Sequence, residues 1–311
     1  MAPPKVTFLG PAASFSHQAA VETFGNSVEL IPCLSFADAI AAVQNGGADY
    51  AIVPFENSTN GSVVQTLDLL VDRNDDYSDV KVCSEYYLTV HHCLLARKGL
   101  FPPGQRDYSC ITKLYTHPQA WGQCEKFLGE HFRGVERQDV SSTSRAGETV
   151  LNTRTEVNAA IASGFAGQHY GLDVLEEEIE DITNNTTRFL VLKNVKSKHL
   201  THYHPESAGQ SIVQKQTLTV PKTEKTLISF MVPQDTLGTL ADALLIFKDY
   251  GMNLTSISTR PSRLQAWKYV FLVESETDQN KEVVPGIMNR LTMVTENCKH
   301  LGTWANRLVT T

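Results

Sequence analysis

Between residues 6 and 192, short apolar runs alternate with stretches of helical periodicity, and that alternation leaves few architectures open. Residues 6–9, 50–53, 114–116, 159–162 and 188–192 read as strands, with a longer β-like segment over 85–96. Between them, residues 16–24, 62–70, 118–128 and 165–170 read as helices, as does a stretch opening near Ser142. Ser35 caps a further helix, with Phe36, Ala39, Ile40 and Val43 on one face and Gly46 as its stop. Such an order predicts an α/β unit with helical crossovers.

The pattern breaks after Lys193. Residues 196–224 are rich in Lys, His, Ser, Gln and Thr, which predicts a linker. His199, His202 and His204 within it lack Cys or carboxylate neighbours at ligand spacing, so they read as solvated side chains, not a metal site. From residue 226 the order is β-α-β-β-α, with a last strand near 301–304, a small ferredoxin-like α+β unit. Its free strand edge and sheet face predict association through it.

A chain of 311 residues accommodates these two units. The net charge of −7 argues against nucleic-acid and anionic-membrane partners, which need a basic surface. No apolar run is long enough to span a membrane, and the start of the chain lacks the zones of a signal peptide. Six cysteines without a C-x-x-C pair predict a reduced, cytoplasmic protein.

Polar clusters stand where the apolar strands end. They are residues 10–17 (GPAASFSH), 54–62 (PFENSTNGS), 116–120 (THPQA), 141–144 (SSTS) and 181–188, in which Thr187 and Arg188 adjoin. Any one of them is an ordinary helix cap. Open α/β sheets, however, bind ligands at the carboxyl ends of their strands, where such loops gather. Hydroxyls, helix starts and a guanidinium together suit a small, oxygen-rich anion. Arg188 itself has two readings, a bidentate grip on a ligand carboxylate or an ion pair with a nearby Asp or Glu. The acidic run at 176–180 reads as a solvated helical face.

Taken in order, these clusters resemble the motifs of the prephenate dehydratase family. G-P-x-G-T-[YF]-S corresponds to residues 10–16, I-V-P-x-E-N-S-x-x-G to 52–61 and S-H-P-Q-A to 116–120. S-T-A-x-A corresponds to 142–146, Y-G-L to 170–172 and N-x-T-R-F to 185–189. The C-terminal unit resembles the family's ACT domain, with 253–255 for N-L-T and 257–261 for I-E-S-R-P. Ala13 and Ser14 replace Gly and Thr of the first motif, while Thr239 and Ser258 depart from the ACT pattern. No chorismate mutase helix precedes Val6, so a monofunctional enzyme of the fungal type is expected.

The resemblance implies a two-lobed, periplasmic-binding-protein-like catalytic domain over 1–195, with lobes of about 1–80 plus 171–195 and 81–170. A linker at 196–224 and an ACT domain at 225–311 follow. It implies conversion of prephenate to phenylpyruvate, with neither metal nor organic cofactor. Thr187 would act as or relay the general acid, and Arg188 would hold a substrate carboxylate. Ser14, Ser16, Asn57, Ser58, Ser142, Thr143 and Phe189 would contact substrate, and His117 and Gln119 would orient it or serve structure. L-phenylalanine would bind between two ACT units of a homodimer or homotetramer, near Gly238, Thr239, Leu240, Asn253 and Leu254. The alternatives are arogenate dehydratase and a non-catalytic amino-acid- or solute-binding regulator.

Overall fold

The apolar run at residue 50 lies at the heart of a mixed sheet. In the computed structural model, which describes residues 2–102, 104, 107–197, 223–278 and 283–308, it is β3 (Tyr50–Asn57). β1 (Lys5–Leu9) lies parallel between β3 and β2 (Glu29–Cys33), with α1 (Phe15–Phe24) and α2 (Phe36–Gln44) as crossovers. β4 (Gly61–Ser62) and α3 (Val64–Val71) follow β3. β11 (Thr186–Asn194) runs antiparallel to β3, and β5 (Val80–Thr89) antiparallel to β11. The first lobe therefore has the order β2-β1-β3-β11-β5.

The second lobe repeats this plan. β7 (Lys113–Thr116) lies parallel between β8 (Glu136–Asp139) and β9 (Asn158–Ala162). β6 (Cys93–Ala96) and β10 (Asp173–Glu176) extend it by antiparallel pairing. Its helices are α4 (Pro118–Trp121), α5 (Glu125–His131), α6 (Thr143–Asn152) and α7 (Gly164–Tyr170).

The lobes exchange chain at points other than those expected. The segment read as one strand over 85–96 is two, β5 in the first lobe and β6 in the second, with residues 90–92 crossing between. Likewise β10 stays with the second lobe, so the return runs through 177–185. The first crossing is short and extended, and in the second the turn at 183–184 reads as an ordinary entry to the next strand, so neither marks a change of lobe. The acidic run at 176–180 is not helical: Glu176 ends β10, and Glu177, Glu178 and Glu180 lie on this return. Glu180 is buried, accepting the His92 N–H at 2.8 Å and lying 2.7 Å from His91 Nδ1.

The C-terminal unit comprises β12 (Glu224–Met231), α8 (Thr239–Asp249), β13 (Asn253–Pro261), β14 (Tyr269–Thr277), α9 (Val283–Val294) and β15 (Glu296–Ala305). Its strands are antiparallel in the order β13-β14-β12-β15, the ferredoxin-like arrangement expected. Alternation along β12 explains how it docks. Ile228 and Phe230 face the helices with Phe247, Ile287 and Leu291, whereas Leu227 and Met231 face the first lobe. There they join Leu272, Trp304, Val53, Leu190 and Leu192 in one core. Each such side chain contributes about 1.5–3 kcal/mol on burial. The linker histidines lie outside the described residues.

Candidate active site

Sheet direction decides which loops meet. β1 and β3 are parallel and β11 is antiparallel to them, so residues 10–17, 55–58 and 185–187 share one edge of the first lobe. The same reasoning puts 116–119, 141–144 and 163–165 on one edge of the second lobe. Thr89 pairs with Thr186 and Cys93 with Ala162, so the crossing at 90–92 runs from one edge to the other and the two edges face.

One wall of this cleft is the first loop. Ser14 caps α1, its Oγ accepting the His17 N–H at 3.2 Å and donating to Leu9 O at 3.3 Å. Ala13 holds φ at 61°, in the left-handed region that favours glycine. Its N–H donates to His17 Nδ1 at 2.9 Å, and its methyl is buried in the core of the second lobe. Such a residue costs about 1–3 kcal/mol of strain. That bond leaves the His17 proton on Nε2, and burial followed by the charge of His169 lowers its pKa. Across the cleft, Ser144 Oγ donates to Ala12 O at 2.5 Å and lies 3.1 Å from Tyr170 Oη. The His17 ring meets Phe165 at 5.2 Å and His169 at 5.9 Å.

The other wall carries Thr187. It pairs with Asn57 across β11 and β3, and Asn57 Nδ2 donates to Thr187 Oγ1 at 3.0 Å. The second Nδ2 hydrogen goes to Asn185 Oδ1 at 2.8 Å, and Asn57 Oδ1 accepts the N–H groups of Thr59 and Asn60 at 3.0 and 2.9 Å. Ser58 Oγ accepts the Thr186 N–H at 2.9 Å. Asn57 and Ser58, expected on substrate, are thus engaged in holding the 185–187 segment.

Arg188 is not in the cleft, which overturns the expectation that it grips a substrate carboxylate. Successive strand residues point to opposite faces. Phe189 and Val191 pack with α1, while Leu190 and Leu192 pack with the C-terminal unit, and Arg188 shares their face. A bulge at Phe55, where Arg188 pairs with Glu56 but Phe189 with Pro54, brings Glu56 to that face as well. The guanidinium is buried against Glu56 Oε1 (3.0 Å), Glu85 Oε2 (3.3 Å) and both oxygens of Glu274. Burial alone opposes its charge, yet Glu274 and Glu85 outweigh that and keep it protonated. Phe189 is 1% exposed in the first-lobe core, so it does not touch substrate either.

The remaining candidates sit at helix starts. Ser142 Oγ caps α6 by accepting the Arg145 N–H at 3.0 Å, and Thr143 is its first residue. His117 caps α4 with the Gln119 N–H at 3.3 Å from Nδ1, and Gln119 is exposed. Ser16 is buried in α1. In the C-terminal unit Gly238 has φ 80° as the N-cap of α8, and Thr239 donates to Thr236 O at 3.0 Å. Leu240 and Leu254 pack partly into the core, and Asn253 is exposed at the start of β13. Sequence reasoning missed Asn185, Ser144, His17 and Tyr170. All four lie in or beside the quoted motifs, but their partners are distant in sequence. Among the described residues no group of three His, Cys, Asp or Glu is placed to hold a metal.

Comparison with known proteins gives a match over residues 6–197 to the family model described as prephenate dehydratase. A probable prephenate dehydratase of Saccharomyces cerevisiae is 35% identical over 309 residues, with 89% of this chain and 88% of that one covered. The structure of a prephenate dehydratase from Arthrobacter aurescens in complex with L-Phe aligns with a TM-score of 0.79 at 26% identity, over 99% of this chain and 93% of that one. GqqA, described as a novel type of quorum-quenching acylase, aligns with a TM-score of 0.73 at 25% identity, over 97% of each chain.

Proposed function

Because the chain belongs to the prephenate dehydratase family, we propose that its cleft converts prephenate to phenylpyruvate, carbon dioxide and water, a step toward L-phenylalanine. The observation that carries this reading is the Thr187 hydroxyl, which accepts a hydrogen bond from Asn57 and stands on the cleft edge of β11. In the reaction, the bond between ring and carboxylate breaks and its electron pair enters the ring. The C–O bond of the ring hydroxyl breaks at the opposite carbon, and a proton reaches the departing oxygen. Thr187 delivers that proton and is reprotonated from solvent, so one proton is consumed overall. A threonine hydroxyl is a weak acid, and its value here lies in position within a preorganised site, with aromatisation as the driving force.

With Arg188 committed elsewhere, the two substrate carboxylates fall to the helix starts. The first-turn N–H groups of α1 beside Ser14 and Ser16, and of α6 beside Ser142 and Thr143, precede the first intrahelical bond and carry partial positive charge. His117 and Gln119 complete the rim. An acylase reading is less well supported, because a nucleophilic hydroxyl needs a base beside it. Among the described residues, the one hydrogen bond of the Thr187 hydroxyl comes from an amide N–H.

The C-terminal unit acts as an ACT domain. Phenylalanine binds near Gly238, Thr239, Leu240, Asn253 and Leu254, between two copies. In support, Leu237 beside the α8 start is 98% exposed, Trp267 is 84% exposed, and β13 ends the sheet among the described residues. Six free thiols suit a reducing cytoplasm. The test is the rate of phenylpyruvate release from prephenate against that from arogenate, with and without phenylalanine. Turnover of prephenate, reduced by phenylalanine, is expected. Absence of product from both substrates would overturn the reading.

A further inference from the structure

The direction in which the Thr187 proton points is set by two asparagines. The carboxamide of Asn57 has a single orientation. Its Oδ1 accepts two backbone N–H groups, Thr59 at 3.0 Å and Asn60 at 2.9 Å, so exchange of O and N would set donors against donors. Nδ2 is therefore turned inward, with one hydrogen for Asn185 Oδ1 at 2.8 Å and the other for Thr187 Oγ1 at 3.0 Å. Asn185 is 3% exposed. Its Oδ1 is fixed in turn by the Thr59 hydroxyl at 3.2 Å, and its backbone O accepts the Val90 N–H at 2.8 Å, where the chain leaves for the second lobe.

A hydroxyl that accepts on one lone pair keeps its hydrogen for another partner. An N–H donated to the Thr187 oxygen also polarises the O–H bond and makes it a better donor. We propose that Asn57 and Asn185 are positioning residues for the elimination. The pair donates into Thr187 Oγ1, turns its hydrogen toward the leaving hydroxyl of the substrate, and touches no substrate itself. This rests on the proposed dehydratase reading and gives Asn57 a role other than substrate contact. It also ties the acid to the crossing segment, so movement between the lobes acts on Thr187 through Asn185.

The decisive variant is Asn57→Asp, nearly the same in shape. Its carboxylate retains an acceptor for Thr59 and Asn60 but presents an acceptor to Thr187, so the hydroxyl hydrogen turns away from the cleft. The nearest ionisable side chains along the two strands, Glu56 and Arg188, lie on the other face and pair with each other. Steady-state rates of phenylpyruvate formation are measured from pH 5.5 to 9, corrected for the enzyme-free reaction. At pH 8, kcat is expected to fall about 100-fold, the scale of a small misplacement of a reacting group, with KM within threefold. The loss should persist over this range, because a carboxyl that accepts the Thr59 and Asn60 N–H groups stays ionised well below pH 5.5.

Two further measurements keep the test decisive should that variant fold poorly. Asn185→Ala is expected to lower kcat about tenfold at unchanged KM. In a Thr187→Ala background, either asparagine substitution should cause no additional loss, since both act through the missing hydroxyl. A rise confined to KM, or full additivity with Thr187→Ala, would reduce the pair to structure and overturn the proposal. An inactive wild-type enzyme would instead overturn the dehydratase reading beneath it.

Discussion

Arg188 in the strand of the proposed acid and Glu274 in the C-terminal unit are joined side by side, with Nη1 3.1 Å from Oε1 and Nη2 in contact with Oε2. Lys225 closes the cluster, 3.3 Å from Glu85 and 3.8 Å from Glu274. Removing one member of a buried pair leaves the other charge without compensation. Arg188→Met is therefore expected to lower unfolding free energy by about 3–5 kcal/mol. Arg188→Lys, lacking the planar fork, should destabilise less and leave KM within twofold. A large rise in KM for the lysine variant, with stability unchanged, would return Arg188 to the substrate. Denaturant titration and steady-state rates separate the outcomes.

The two units also share backbone. Gly302 pairs with Val82 at φ 149°, and a Cβ added there would overlap the Val82 carbonyl and lie 2.8 Å from its N. Gly302→Ala should therefore cost about 1–3 kcal/mol by overpacking, and should loosen the C-terminal unit from the first lobe. Heat unfolding is the measurement, and a broadened or split transition at lower temperature is the expected result.

His92 predicts an acid-sensitive fold. It is 2% exposed, its Nε2 lies 2.7 Å from Gln123 Oε1, and its Nδ1 is buried with no partner among the described residues. Burial lowers its pKa below 6.5, outweighing the opposing pulls of Gln123 and Glu180. The unfolded chain therefore binds this proton more readily than the folded one. Stability is complete above about pH 6.5 and falls as pH drops below it. Melting temperature should decline between pH 7.5 and 5.5, and less steeply in His92→Asn. Equal slopes would remove His92 as the cause.

The thiols should react in order of exposure. Cys110 is exposed, whereas Cys93 and Cys124 are buried, with pKa values pushed up to about 11 and about 12 by desolvation. Labelling at pH 8 followed by peptide mass spectrometry should find Cys110 modified first. Cys93 and Cys124 should react only after unfolding.

Much of this arrangement is legible in the chain, for reasons that differ by element. The ferredoxin-like unit is readable because β12 and β14 carry nearly continuous apolar runs, as strands covered on both faces do, with periodic helices between the strands. The cleft loops are readable because hydroxyl caps and apolar strand ends adjoin in sequence. Two features are hidden. The even spacing of strand side chains already separates Thr187 from Arg188, but the partners of Arg188 lie in β3, β5 and β14, and no local pattern links them. The bulge at Phe55 is masked by Pro54, which reads as the end of a strand that in fact continues to Asn57. The crossing at 90–92 stays hidden because extended chain looks alike inside a lobe and between lobes, and that at 177–185 because its turn at 183–184 reads as the entry to the next strand.

The most direct test replaces the Thr187 hydroxyl and follows phenylpyruvate release from saturating prephenate. Thr187→Ala should lower kcat by about two to four decades, the range for losing a general acid, while Thr187→Ser should retain most of the rate. Turnover by the alanine variant close to that of the wild type would contradict a proton delivered from Thr187.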